Sequence, residues 1–208
     1  MATRLTGSDV TAVFITADAQ ALDADGISTA AAVGNNAALT IGGALADGGS
    51  VTNVGGRIVT ILSAGNDAAK SFTVVGTDVS GDALTESITG ANAGTATGSS
   101  YFRTITSITA VGNPAGNVSA GINTAVADVI FGGRSRLQGV NVVCSGTAGN
   151  IDFLNTSTSG SSLFKLGCVA SATATRDITV PDNGLVFSSG VYINYTTATF
   201  TSMTAFHA

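Results

Sequence analysis

The chain has 208 residues, 44% of them hydrophobic and only 10% charged, with a net charge of −5; an average soluble protein carries roughly 25% charged residues. That balance excludes a disordered chain, and the eight dispersed basic residues exclude the basic stripe with which nucleic-acid binders displace counterions. One His (His207), one Glu (Glu86) and two Lys (Lys70, Lys165) leave little of the inventory that acid–base catalysis and metal binding draw on, so neither an enzyme nor a cofactor or metal site is expected.

The first segment, Met1 to about Asp25, places Val10, Val13, Phe14, Ala17 and Ala21 at helical spacing, yet Ile15, Thr16 and the Asp23–Gly26 turn interrupt it. Thr11–Thr16 reads equally as a strand. With too few core-like residues to fold alone, this segment is expected to be an arm. No apolar stretch follows Arg4 as a secretory leader requires, and no run reaches the ~20 apolar residues of a membrane span. The chain is therefore expected to be made and held in a cytosol, with no membrane partner.

From Ala38 the pattern predicts strand after strand. Leu39–Ile41 is short. Arg57–Leu62 is apolar on both faces and reads as a central strand, ended by the turn Ser63–Asp67. Ser71–Thr77 and Ala83–Thr89 form a hairpin across a five-residue loop containing Gly81. Gly90–Ser100 reads as a small-residue loop, Tyr101–Val111 as a long strand, and Asn117–Ile122 as another. Asn123–Asp128 is the best domain boundary. Beyond it come seven short strands: Leu137–Ser145, Asn150–Asn155, Ser162–Gly167, Arg176–Val180, Gly184–Ser188, Val191–Thr196 and Thr199–Phe206. The fold class is all-β: two β-sandwich or jelly-roll-like units, residues 1–128 with the arm and residues 129–208.

Several motifs fail on their chemistry. Gly65–Ser71 lacks the glycine that a phosphate loop needs directly before its lysine, and a strand follows it instead of a helix. Asp18, Asp23 and Asp25 lack the alternate spacing and closing Glu of a calcium loop. A Ser–His–Asp triad would need His207, at an end expected to fray, and no nucleophile elbow exists. Glu86 lies in an alternating strand and reads as an exposed or paired strand residue, not as one of two glycosidase carboxyls. Asn117, Asn155 and Asn194 begin glycosylation-type triplets that arise readily in a Ser/Thr-rich chain. The C-terminal aromatics lack the Lys and Arg that accompany an RNA-stacking platform, so they read as core. Cys144 continues the alternation Val140, Val142, Cys144 and is expected to be a buried free thiol, unbridged to Cys168.

Taken together, Gly56–Ile61, Ser63–Asp67, Phe72–Asp78, Ala83–Gly90 and Tyr101–Ile108 resemble small β-rich virion proteins of tailed bacteriophages. The resemblance spans roughly residues 56–122, with a weaker likeness in the C-terminal part, and carries no catalytic motif. It implies a structural virion component made in the host cytoplasm, specifically a head decoration (cement) protein that clamps neighbouring capsomers on the phage head surface. Its partners would be the phage major capsid protein and itself, as a homo-oligomer, with a trimer as the expected order. The alternatives are a tail-tube or head–tail connector subunit, or a short receptor- or glycan-binding spike. A weakly charged surface is poorly defended against association, which agrees with an assembly subunit. Candidate contact residues are Arg4 and Phe14 on the arm and the neighbouring pair Arg134 and Arg136.

Overall fold

The computed structural model describes residues 10–208, and among them every regular element is a β-strand, paired antiparallel. Chain contacts divide them into two compact units, residues 18–128 and residues 10–17 with 129–208. The first strand therefore belongs with the C-terminal strands, not with the N-terminal domain read from the sequence.

The larger unit is built on β4 (Ser50–Ser63), held between β7 (Thr95–Val111) and β8 (Asn117–Phe131). Outward from β7 come β5 (Ser71–Thr77) and then β6 (Ala83–Thr89), while β2 (Asp23–Ala32) lies beside β8 and the two-residue β3 (Ala46–Asp47) beside β4. Alternation explains Val59 and Ile61 of β4 and Phe72 and Val74 of β5; Phe102, Ile105 and Ile108 of β7, three apart, are buried too because register shifts interrupt the pairing of β7, and all seven are fully buried. Burying each such side chain contributes about 1.5–3 kcal/mol. The cover over this core is largely irregular chain. Leu39 lies in no strand, contrary to expectation, but its N–H donates to the Ile108 carbonyl at 2.8 Å and its side chain is buried. Gly121 of β8 is needed for close approach, since a Cβ there would sit 1.8 Å from the Asp23 carbonyl oxygen.

Two boundaries differ from the sequence reading. β7 starts at Thr95, inside the expected loop, because Thr95–Thr97 pair with Thr60–Leu62 of β4. β8 runs through Asn123–Asp128, the expected linker, because Val126 and Ala127 pair with Arg57 and Gly56. Small polar residues read as a loop when no partner strand is in view; here the ladder satisfies their backbone groups.

In the other unit, β9 (Ser135–Cys144) is central to one sheet, in the order β1 (Thr11–Thr16), β15 (Phe200–His207), β9, β12 (Thr175–Thr179), with β13 (Leu185–Phe187) also paired to β9. The other strands run β11 (Ser162–Cys168), β10 (Gly149–Asn155), β14 (Val191–Thr196). Between the two layers lie Ile15, Leu137, Val140, Val142, Phe153, Phe187, Ile193 and Met203, a sandwich core. Leu137 and Val140 both face inward because one β15 step, Phe206 to His207, spans two on β9, Gly139 to Leu137; the bulge at Gln138 resets the alternation.

Two expectations are corrected here. In the segment expected as an arm, Thr11–Thr16 takes the strand alternative: β1 pairs in unbroken register with β15, from Thr11 opposite His207 to Thr16 opposite Ser202, while residues 17–22 are irregular. The cysteines are not free thiols. Cys144 and Cys168 form a disulfide, with their Cα atoms 5.7 Å apart, joining β9 of one layer to the end of β11 in the other. The alternation correctly places Cys144 in the core at 1% exposure; it carries no information that Cys168 faces it from the opposite layer.

Candidate functional site

The most elaborate polar cluster surrounds Arg57, a fully buried side chain in the middle of β4. Its Nη1 lies 2.9 Å from Asp18 Oδ2, and its Nη2 donates to the Gln20 carbonyl at 3.0 Å and to the Asn123 carbonyl. Asp18 itself accepts from the Gln20 N–H at 2.9 Å. The guanidinium thus ties the irregular stretch 18–22 to β4 and β8. Such a buried pair is held by mutual satisfaction: each charge is costly to bury alone. Both Nη atoms are committed to these acceptors while the buried Nε has no hydrogen-bond partner, and the adjoining depression beside Asp18, Gln20 and Asn53 is only about 90 Å³, room for a few waters. This is a structural anchor.

His207 is not at a frayed end. It is buried at 6% exposure in β15, against the Phe131 ring at 4.9 Å between centroids, with Nδ1 3.0 Å from Ser135 Oγ. The Ser135 hydroxyl donates to the Ala208 carbonyl at 3.1 Å, so its oxygen is left to accept from His207 Nδ1–H. That is the reverse of the bond a nucleophilic serine makes to its base. Burial lowers the His207 pKa below its ordinary 6.5, because desolvation disfavours the charged ring. The unfolded chain then binds this proton more readily than the folded one. Stability contributed by His207 is present above about pH 6.5 and is lost as pH falls through the folded-state value. Thermal unfolding followed from pH 7.5 to 5 is expected to show a fall in Tm that His207→Asn reduces; an identical pH profile in the variant would contradict this account.

Glu86 is a paired strand residue. Oε1 accepts from the Ser99 N–H at 2.6 Å and the Ser99 hydroxyl at 2.8 Å, and Oε2 from the Ser100 N–H at 3.3 Å. Those bonds bind β6 to β7. Lys165 pairs with Asp152 at 2.9 Å on a half-exposed surface, a contact worth little. Among the described residues no group of three or more His, Cys, Asp or Glu side chains is set to hold a metal ion.

The residues singled out for assembly fall in different places. Arg4 lies outside the described residues. Phe14, on β1, is 67% exposed. Arg134 is exposed in the turn before β9; Arg136 is half-buried, with Nη1 3.5 Å from the Asn183 carbonyl. Phe14 is on the sheet face opposite to buried Ile15, and Arg136 on the face opposite to buried Leu137, so both belong to the outer face of one sheet, with β15 between their strands. An open depression of about 290 Å³ on this sheet is lined by Val10, Gly139, Ile178 and Phe206, with Asp177 the one ionised group. What the sequence reading missed is the edge itself: among the described residues β1 is the last strand of its sheet, and Thr11–Thr16 contain no charge, proline or glycine.

No protein-family model, curated protein or solved structure matches this chain.

Proposed function

We propose that this chain is a structural virion protein, a decoration (cement) subunit on the head of a tailed bacteriophage, which associates with copies of itself and with the major capsid protein. The observation that carries the reading is the undefended β1 edge with Phe14 exposed beside it. Proteins that work alone blunt their sheet edges with charges, prolines or bulges. The charge-poor composition supports it. The work would be mechanical: many weak contacts, repeated around a shell, combine through effective concentration and hold adjacent capsomers together against internal DNA pressure. A trimer is the expected order of self-association, with Arg134 and Arg136 meeting acidic groups of the shell.

The test is to make particles lacking the protein and subject them to heat or osmotic shock. They are expected to lose DNA sooner than intact particles. Equal DNA retention, or localisation of the protein to the tail, would move the assignment to a tail-tube, connector or spike subunit.

A further inference from the structure

The self-association in the proposed function leaves open which surface meets which, and the backbone of β1 narrows it. The Ala17 N–H donates to the Thr201 carbonyl at 3.1 Å, continuing the register in which Thr16 faces Ser202. In an antiparallel ladder a residue sends its N–H and C=O to the same side, and alternate residues do likewise. Residues 11, 13, 15 and 17 therefore bond to β15. Ala12, Phe14 and Thr16 direct their N–H and C=O outward, and no described residue pairs with them.

We infer that a second copy of this chain pairs its own β1 antiparallel with this edge, about a two-fold axis through Phe14. This register sets Phe14 opposite Phe14 of the other copy and Ala12 opposite its Thr16, using every outward group from residue 12 to residue 16 in six hydrogen bonds. It also brings the most exposed large apolar side chain of the described residues against its own copy, the aromatic cross-strand pairing that stabilises sheets.

Charge favours a like copy as the occupant. The longer terminal strands carry charged residues, Glu86 on β6, Lys165 on β11, Arg176 and Asp177 on β12, and the other uncharged edge, β13, is only three residues long. β1 carries none, so two copies meet there without like-charge repulsion despite the net charge of −5. An uncharged edge also presents no charge by which a foreign partner could be selected. The contact is isologous and closes at two copies. It would link copies across the shell in pairs, in addition to any three-fold association. It is small against the area of a standard stable interface, so it is reversible in solution and strengthened on a surface where copies are held close.

Three variants of the full chain test this. Phe14→Cys is expected to form a covalent dimer on mild oxidation, because hydrogen-bonded antiparallel partners lie about 5.5 Å apart at Cα, within disulfide reach. Ala12→Cys, facing Thr16 of the other copy, is expected not to. Ala12→Pro removes an outward N–H, which an edge strand tolerates; it is expected to keep the Tm and lose the pairwise species in sedimentation velocity. If an oligomer persists in Ala12→Pro and Phe14→Cys does not cross-link, the β1 contact is overturned while self-association stands. If the unaltered protein is monomeric at every concentration, both fall. Equal cross-linking at Ala12→Cys and Phe14→Cys would overturn the register.

Discussion

Replacing Arg57 with alanine is expected to destabilise the 18–128 unit by about 3–5 kcal/mol, the cost of breaking a buried ion pair from one side. The guanidinium holds Asp18 at 2.9 Å, the Gln20 carbonyl at 3.0 Å and the Asn123 carbonyl, and alanine leaves all three without that donor. Most single substitutions cost far less. Asp18→Asn is expected to cost less than Arg57→Ala, since an amide oxygen still accepts from Nη1. The double variant Arg57→Met with Asp18→Leu is expected to recover part of the loss, because it removes both charges and leaves apolar volume. Urea unfolding of the unaltered chain, Arg57→Met, Asp18→Leu and the double variant, read as a double-mutant cycle, measures the coupling. Additive losses would contradict the anchor, and so would an Arg57→Ala protein of unchanged midpoint.

The second large effect belongs to the disulfide. Converting both Cys144 and Cys168 to alanine is expected to lower the stability of the unit holding β9–β15 by about 3 kcal/mol, the loop-closure value for a bridge of this span, here a sequence separation of 24. The sulfurs belong to residues exposed by only 1% and 4%, so reduction of the folded protein is expected to be slow and to speed up greatly in denaturant. Intact mass under denaturing, non-reducing conditions tests the bridge directly: two hydrogens fewer than the reduced chain are expected. Rapid alkylation of either cysteine in the native protein would contradict it.

How far the fold was legible depended on whether a segment carries its own pattern or borrows structure from a partner. The hairpin of β5 and β6 was readable to the residue, because Phe72 and Val74 alternate, Leu84, Glu86 and Ile88 answer them, and Gly81 turns between. The seven short strands after residue 134 were readable for the same reason, each bounded by Gly, Ser or Asn. Asn123–Asp128 was not: its sequence is that of a linker, and only pairing with Gly56 and Arg57 makes it strand. Arg57 sits within an apolar run, and its partner Asp18 lies 39 positions earlier, with no local signal linking them. The disulfide spans 24 positions; the expectation of a reducing cytosol pointed away from it, and no local pattern shows Cys168 facing Cys144. Phe14 was recognisable as an apolar contact, but its place on a free sheet edge depends on β15, which arrives almost two hundred residues later.

A chain proposed to be a repeated surface component of a phage head must be present there in high copy number. Quantitative mass spectrometry of purified particles, scaled to the major capsid protein, is expected to find this chain in the hundreds per head, in fixed ratio to the capsomers. A handful of copies per particle, the stoichiometry of a tail or connector part, or its absence from the particle would contradict the account.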